Sequence, residues 1–165
     1  MPHFITRDIL DKAPFGIYIV NDDGNIEYAN PAIIKMSGDA LEQFMKLKIF
    51  ELPTYKQLGL DEKIRLAMRG ESFSMGPVEY TSYYSKKTTI RKFTGIPFKE
   101  EGAKKVVIFV EDITDLKRAE EELVRRMTDL EKFNKVAVDR ELKMIELKNK
   151  IKELEAKSGG LTGPE

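Results

Sequence analysis

The chain has 165 residues, and its 28 lysines and arginines balance 28 aspartates and glutamates, which leaves no basic field for nucleic acid or anionic lipid. No apolar run approaches the roughly 20 residues that span a bilayer, so we expect a cytoplasmic protein with one core-forming domain and an extended element, and no membrane partner. Cysteine is absent and His3, in a terminus expected to be poorly ordered, is the only histidine, which argues against disulfides, metal sites, catalytic triads and a phosphorelay.

Two short apolar segments around an Asp-Gly turn predict a β-hairpin. Phe15–Val20 and Ile26–Ala29 are rich in β-branched and aromatic residues, and Asn21–Asn25 between them holds the residue types that tolerate a positive φ. The acidic residues of this turn do not predict a calcium loop, because Ile34 occupies the position where the last acidic ligand would be needed.

A short helix is predicted directly after the hairpin. Asn30 can accept backbone N–H bonds as the N-cap, and Pro31 suits the first helical position. The helix should run to about Ser37 and end at Gly38.

Further short helices follow along the chain. Asp39 is predicted to cap a helix over Ala40–Lys46, and Pro53 is interpreted as a break. Asp61–Arg69 shows helical spacing of its apolar residues and is closed by Gly70.

Three longer strands complete the first part of the chain. Ser72–Tyr84, Thr88–Phe98 and Lys105–Glu111 carry strand-forming residues and are separated by polar turns. The order of elements predicts an α+β fold, a five-stranded antiparallel sheet with short helices gathered on one face. The expected core between them consists of Ile17, Ile19, Tyr28, Ile33, Ile34, Leu41, Met45, Phe50, Leu66, Phe73, Met75, Phe93, Ile96, Val107 and Phe109.

Four segments, in their order and spacing, resemble a PAS domain. They are Ala13–Ile17, Asn21–Gly24, Ile26–Ala32 and Glu111–Asp115, and together they span about two-thirds of the chain. The resemblance implies a PAS sensor domain over residues 1–114, followed by a signalling helix as in sensor histidine kinases and related two-component transducers. In that family the Asp-Ile-Thr sequence, here Asp112, Ile113 and Thr114, marks the junction where the last strand passes into the helix.

The residues present limit what a PAS domain of this sequence could bind. Members that form a flavin adduct or attach a chromophore covalently depend on a cysteine, which this chain lacks. Haem-binding members generally use a histidine of the helix that corresponds to Asp61–Arg69; none lies there, and Met68 is interpreted as a core residue, so haem is disfavoured. A noncovalent small molecule and a filled core both stay open, and the candidate pocket residues are Ile17, Ile19, Tyr28, Ile33, Met45, Met68, Met75, Tyr80, Phe93 and Phe109.

The last third of the chain carries a heptad repeat that predicts a coiled coil over residues 115–157, with a flexible tail at 158–165. Ala119, Arg126 and Arg140 also fall in the seam, and the two arginines weaken it. Two copies in parallel would bury their seams together as a homodimer, although the pattern leaves helix orientation open, and a second row (Val124, Met127, Val138, Leu142, Ile145) would also suit a tetramer. The apolar seam consists of Leu116, Leu123, Leu130, Phe133, Ala137, Met144, Leu147, Ile151 and Leu154.

These features together predict a noncatalytic sensory module. Its PAS domain would relay the binding of a ligand or partner through the Asp-Ile-Thr junction to the dimerising helix, and from there to a downstream signalling protein. Two alternatives stay open. The chain could be the input piece of a larger sensor histidine kinase, or a ligand-free structural adapter for dimerisation.

Overall fold

The computed structural model describes residues 2–159, with side chains from Arg7 onward; the His3 side chain and most of the predicted tail lie outside that description. It divides into two compact units, Met1–Lys117 and Arg118–Glu165. Within residues 2–159 no helix has both the length and the apolar character required to cross a membrane.

The first unit is built on one antiparallel sheet, whose strands follow the spatial order β2-β1-β5-β4-β3. Its strands are β1 (Gly16–Asn21), β2 (Ile26–Ala29), β3 (Phe73–Thr81), β4 (Thr88–Glu100) and β5 (Ala103–Asp112). The helices are α1 (Pro2–Lys12), α2 (Pro31–Ser37), α3 (Leu41–Met45), a 3₁₀ turn at Ile49–Glu51, α4 (Pro53–Leu58), α5 (Leu60–Met68) and α6 (Thr114–Gly159). The predicted α+β fold with a long C-terminal helix is therefore confirmed.

The start of α2 follows the predicted capping chemistry. The Asn30 Oδ1 accepts hydrogen bonds from Ile33 N at 3.0 Å and from Ile17 N at 2.8 Å. Its Nδ2 donates to the carbonyl oxygens of Leu10 and Phe15, both at 3.0 Å. Asn30 is fully buried and ties α1, β1 and α2 to one another, which is more than a helix cap requires.

Three local features of the structure differ from what the sequence predicted. The N-terminal helix α1 was not predicted, and Pro53 begins α4 as a first-turn residue instead of breaking the chain. Ala40, and not Asp39, stands at the N-cap of α3. The Asp39 Oδ1 accepts a hydrogen bond from Ser85 N at 2.6 Å, a contact between residues distant in sequence.

The sheet presents a different set of residues to the helices than predicted. The residues of β1 that join the buried cluster are Tyr18 and Val20, and their partners on β5 are Ile108 and Val106. The register pairs Ile17 with Phe109, and because neighbouring residues of a strand point to opposite faces, this pair lies on the outer face. The predicted inner-face placement is therefore wrong for Ile17, Ile19, Tyr28, Phe109, Val107 and Ile96.

The described part of the second unit, residues 118–159, belongs to α6, which begins in the first unit at Thr114 and is helical over 46 residues to Gly159. At 1.5 Å per residue it is about 69 Å long. None of its residues is buried, and the predicted seam residues are all exposed along it. The helix is thus observed, whereas the coiled coil stays a prediction.

Candidate functional site

Three buried tyrosines form the centre of the space between the sheet and the helices. The hydroxyl groups of Tyr18 and Tyr55 lie 2.7 Å apart in a hydrogen bond. The Tyr55 ring packs edge-on against Tyr80 at 5.7 Å and against Phe93 at 6.4 Å between centroids. Polar hydroxyl groups thus meet in the middle of an apolar core, where each needs a partner to offset desolvation.

Arg91 lies against this tyrosine cluster and is only 2% exposed. Its guanidinium carbon is 4.4 Å from the Tyr80 ring centroid, a cation–π contact. Its Nε donates to Thr89 Oγ1 at 2.7 Å, and one Nη donates to Ser82 Oγ at 3.2 Å and to the Met36 carbonyl oxygen at 3.4 Å. Burial lowers the pKa of Arg91, and the charge of Asp112 opposes this shift without a salt bridge between the two among the described residues. The groups that directly contact the guanidinium are therefore neutral oxygens and a ring face.

The tyrosine cluster predicts a loss of stability at alkaline pH. Burial raises the pKa of Tyr18, Tyr55 and Tyr80 above the usual 10.0, so the folded state resists ionisation that the unfolded chain allows. Their contribution is complete below pH 10.0 and falls as pH rises above it, by up to about 1.4 kcal/mol per pH unit for each tyrosine. Urea unfolding between pH 9 and 11 measures this slope, and Tyr55→Phe should make it shallower; an equal slope in both proteins would contradict the assignment.

The predicted junction residues join the start of α6 to the sheet. Asp112 Oδ1 accepts hydrogen bonds from Thr114 N at 3.0 Å and from the Thr114 hydroxyl. It thereby provides an acceptor for a backbone N–H that has no partner within the first turn of the helix. The Thr114 Oγ1 in turn accepts from Ile90 N at 2.9 Å, and Ile113 N donates to the Ile90 carbonyl oxygen at 2.9 Å. Both backbone polar groups of Ile90 are therefore bound to the junction.

Arg91 and the junction are neighbours through this strand. Arg91 follows Ile90 in β4, and its partner on β5 is Asp112. The Arg91 side chain contacts α2 through Met36, while the preceding residue holds Ile113 and Thr114. Two consecutive residues near the start of β4 thus bind the core on one side and the start of α6 on the other.

The predicted pocket residues do not form one site. Tyr80, Phe93 and Ile33 belong to the buried cluster, and Met45, Met68 and Met75 pack against it. Ile17, Ile19, Tyr28 and Phe109 lie on the other face, where the Tyr28 hydroxyl donates to Asp11 Oδ1 at 2.6 Å and Phe109 packs against Phe15.

The described clefts open at the surface. One of them, about 430 Å³, lies between the end of α5 and the β4–β5 hairpin and includes Met68 among its lining residues. Arg69, Lys99 and Lys104 give it a basic lining, while Lys105 pairs with Glu27 and Glu100, both at 2.6 Å. Among the described residues no cluster of acidic groups has the composition of a metal site.

Sequence reasoning missed Arg91, Tyr18 and Tyr55. Tyr18 stands beside Ile17 and Ile19 in an unbroken apolar strand, so alternation gave no sign of which residues face the helices. Arg91 lies in a strand of polar and apolar residues, where an arginine is normally exposed. The sequence did contain a signal for the burial of Arg91, because this residue lies between Ile90 and Phe93 in a central strand, with Thr89 two residues away.

The sequence of this chain matches a known protein family. A sequence model described as the PAS fold matches residues 10–118. No curated protein matches the chain.

Solved structures of PAS domains share the fold. A PAS domain from a two-component sensor histidine kinase is 16% identical with a TM-score of 0.54, covering 67% of this chain and 95% of its own. A domain of a sensory box sensor histidine kinase/response regulator from Geobacter sulfurreducens is 20% identical with a TM-score of 0.54, covering 67% and 93%. The PAS domain of Bordetella pertussis BvgS is 21% identical with a TM-score of 0.53, covering 79% and 96%. At these identities the likeness concerns the fold alone.

Proposed function

Since this chain belongs to the PAS fold family, we propose that it is a noncatalytic sensory module that relays a change in its domain through Asp112, Ile113 and Thr114 to a dimerising α6. The input is a small molecule or protein partner that binds one state of the domain more tightly than the other. Without such a difference in affinity no state is favoured and nothing is transmitted.

The hydrogen bonds of Ile90 support this proposal most directly. The Ile90 N–H binds the Thr114 hydroxyl and its carbonyl oxygen binds Ile113 N, while the next residue, Arg91, holds the carbonyl oxygen of Met36 in α2. A shift of α2 or of the tyrosine cluster therefore acts on Arg91 and, one residue away, on the first turn of α6. Coupling of this kind between a strand and a helix needs only a small shift. Close-packed elements switch between discrete arrangements instead of deforming gradually, so a small displacement at one end can change the arrangement at the other.

The output is the association of α6 with a second copy. Its seam of large apolar side chains is exposed along the whole helix, and burial of that seam is the largest favourable term that pairing could add. A downstream signalling protein would then recognise the paired helices. In this proposal the state of the domain is coupled to the dimer equilibrium. A change in the domain therefore shifts the dimer dissociation constant, and dimer formation shifts the domain between its states.

A double-mutant cycle on the dimer equilibrium tests the relay. Arg91→Met removes the core contacts, and Thr114→Val removes the hydroxyl that binds Ile90 N while keeping the side-chain shape. We expect Arg91→Met to change the dimer dissociation constant about fivefold or more in sedimentation equilibrium, and to change it much less when Thr114→Val is also present.

Two further variants serve as controls for the cycle. Thr114→Ser keeps the hydroxyl and should preserve the effect of Arg91→Met, and Ser82→Ala provides a milder change if Arg91→Met reduces folding. Far-UV circular dichroism checks that each protein is folded. Strictly additive effects of Arg91→Met and Thr114→Val would contradict the relay.

A ligand-free structural adapter is the second candidate. It is favoured by the inner face of the sheet, where Tyr55 already packs edge-on against Tyr80 and Phe93. Native mass spectrometry of freshly purified protein discriminates the two candidates, because a retained small molecule adds mass to the folded protein. The other alternative is that the chain is the input piece of a larger sensor histidine kinase. Incubation of the chain with labelled ATP tests the noncatalytic proposal itself, because autophosphorylation would contradict it.

A further inference from the structure

The charges that flank the seam of α6 change sign halfway along the helix. With Leu116 and its repeats at position a of the heptad, Ala119 and its repeats occupy d, and the flanking position g precedes each a residue. In the N-terminal half g is acidic, in the C-terminal half it is basic, and Val136 stands between them. All of these residues are exposed on one unbroken helix, in chain order Asp115, Glu122, Asp129, Val136, Lys143, Lys150 and Lys157.

A parallel pair of these helices would bring like charges together. Each d residue would face its own copy, so Arg126 would meet Arg126 of the partner subunit and Arg140 would meet Arg140 of the partner subunit within the seam. At the flanks, where g faces the following e position, Lys143 would meet the partner's Lys148. Asp115 would likewise meet the partner's Glu120, which leaves Lys150 with the partner's Glu155 as the pair of opposite sign.

An antiparallel pair removes each of these conflicts. In that orientation a residues face d residues, so Arg126 lies beside the partner's Met144 and Arg140 beside the partner's Leu130, where the arginine stems pack and their charged ends reach solvent. Arg126 already pairs with Glu122 of its own helix. The other layers then combine Leu116 with the partner's Leu154, Leu123 with the partner's Leu147, Ala137 with the partner's Phe133, and Ile151 with the partner's Ala119.

The same alignment also matches the flanks. Position g faces position g in an antiparallel pair, so the acidic half of one helix lies along the basic half of the other. The three combinations, each made twice by symmetry, are Asp115 with the partner's Lys157, Glu122 with the partner's Lys150, and Asp129 with the partner's Lys143. Val136 meets its own copy at the two-fold axis, and the helices overlap over nearly their full length.

We propose that two copies of this chain pair through α6 in antiparallel orientation. This inference rests on the proposed function, since it takes the dimer as given and specifies its geometry. The two Asp-Ile-Thr junctions lie at opposite ends of the pair, about 60 Å apart along the helices. Each junction then lies next to the end layer, in which Leu116 packs against the partner's Leu154, and can act on the packing of that layer.

Disulfide trapping tests the orientation of the two helices. Because the sequence has no native cysteine, only the introduced cysteines can form a crosslink. Val136→Cys should form a disulfide-linked dimer under mild oxidation, because this position meets its own copy in the antiparallel pair alone. Leu154→Cys by itself should stay unlinked, whereas a mixture of Leu116→Cys and Leu154→Cys proteins should crosslink. A linked Leu154→Cys dimer without a linked Val136→Cys dimer would overturn the orientation and leave the dimer itself intact.

Charge exchange gives a second test that does not depend on thiol chemistry. A Glu122→Lys/Asp129→Lys chain has only basic charge at these g positions, and a Lys143→Glu/Lys150→Glu chain has only acidic charge. Each alone should have a dissociation constant raised about tenfold or more, and their mixture should form the heterodimer. Equal homodimer and heterodimer affinities would refute the antiparallel geometry, while a monomeric wild-type chain in sedimentation equilibrium would refute the proposed function instead.

Discussion

Replacement of both Leu123 and Leu130 by lysine is expected to convert the proposed dimer into a monomer. Both leucines occupy position a of the heptad and are about 60% exposed on the single helix, so pairing with a second helix would bury this exposed part. Loss of four leucine side chains from the pair removes on the order of 6 kcal/mol or more, which raises the dissociation constant by at least about 10⁴-fold. Sedimentation equilibrium should then report a mass near 18.9 kDa in place of twice that value.

A matched variant on the opposite side of the helix separates loss of the seam from added charge. Thr128→Lys/Leu142→Lys introduces the same two charges at position f, away from the seam, and should leave a dimer. If the Leu123→Lys/Leu130→Lys protein kept the wild-type mass, the seam assignment would be refuted. If the control variant lowered the mass instead, the second apolar row would be the interface.

Replacement of Asn30 by alanine is expected to cost roughly 3 kcal/mol of unfolding free energy. The change leaves the N–H groups of Ile17 and Ile33 without this acceptor and the Phe15 carbonyl oxygen without this donor, while the Leu10 carbonyl oxygen keeps only its bond from Ala13 N. Each buried polar group left unpaired costs about 1–3 kcal/mol, although water entering the site recovers part of that cost. Denaturant unfolding at fixed protein concentration measures the difference.

Asn25→Ala provides the matched control for this measurement. Asn25 is also an asparagine of the β1–β2 region, but it is exposed in the hairpin turn. Its replacement should change the unfolding free energy by less than about 0.5 kcal/mol. Similar losses for the two variants would show that Asn30 does not connect α1, β1 and α2 as described.

Predictions succeeded where the deciding interactions are local. Asn30 was predicted as a cap because the chemistry of a helix start depends on residues within one turn, and Gly38 ends α2 in the left-handed conformation, with φ of 72°, as predicted. The strand segments were recognised because their side chains differ in kind from the turns between them. These signals were sufficient for the fold class.

Predictions failed where the deciding contacts are distant in sequence. Ile17 and Tyr18 are both apolar enough for the core, and the choice between them depends on which face the helices cover. Asp39 binds the backbone of Ser85 instead of capping its own helix. Arg91 is buried because Met36, Ser82 and Tyr80 surround it, and no window of sequence around Arg91 contains all of them.

Because the large seam residues of α6 are 51–70% exposed on the single chain, the proposed pairing would make the amount of protein a variable of the proposed response. Within the described residues these side chains stay exposed on the single chain, so their burial in the proposed pair would follow mass action and would rise with concentration. Below the dissociation constant of the proposed dimer, the helix would lack tertiary support and would fray, which would make its backbone accessible to proteases. Scarce copies would therefore be removed faster than abundant ones, and expression level would set a threshold for the response before any stimulus arrives.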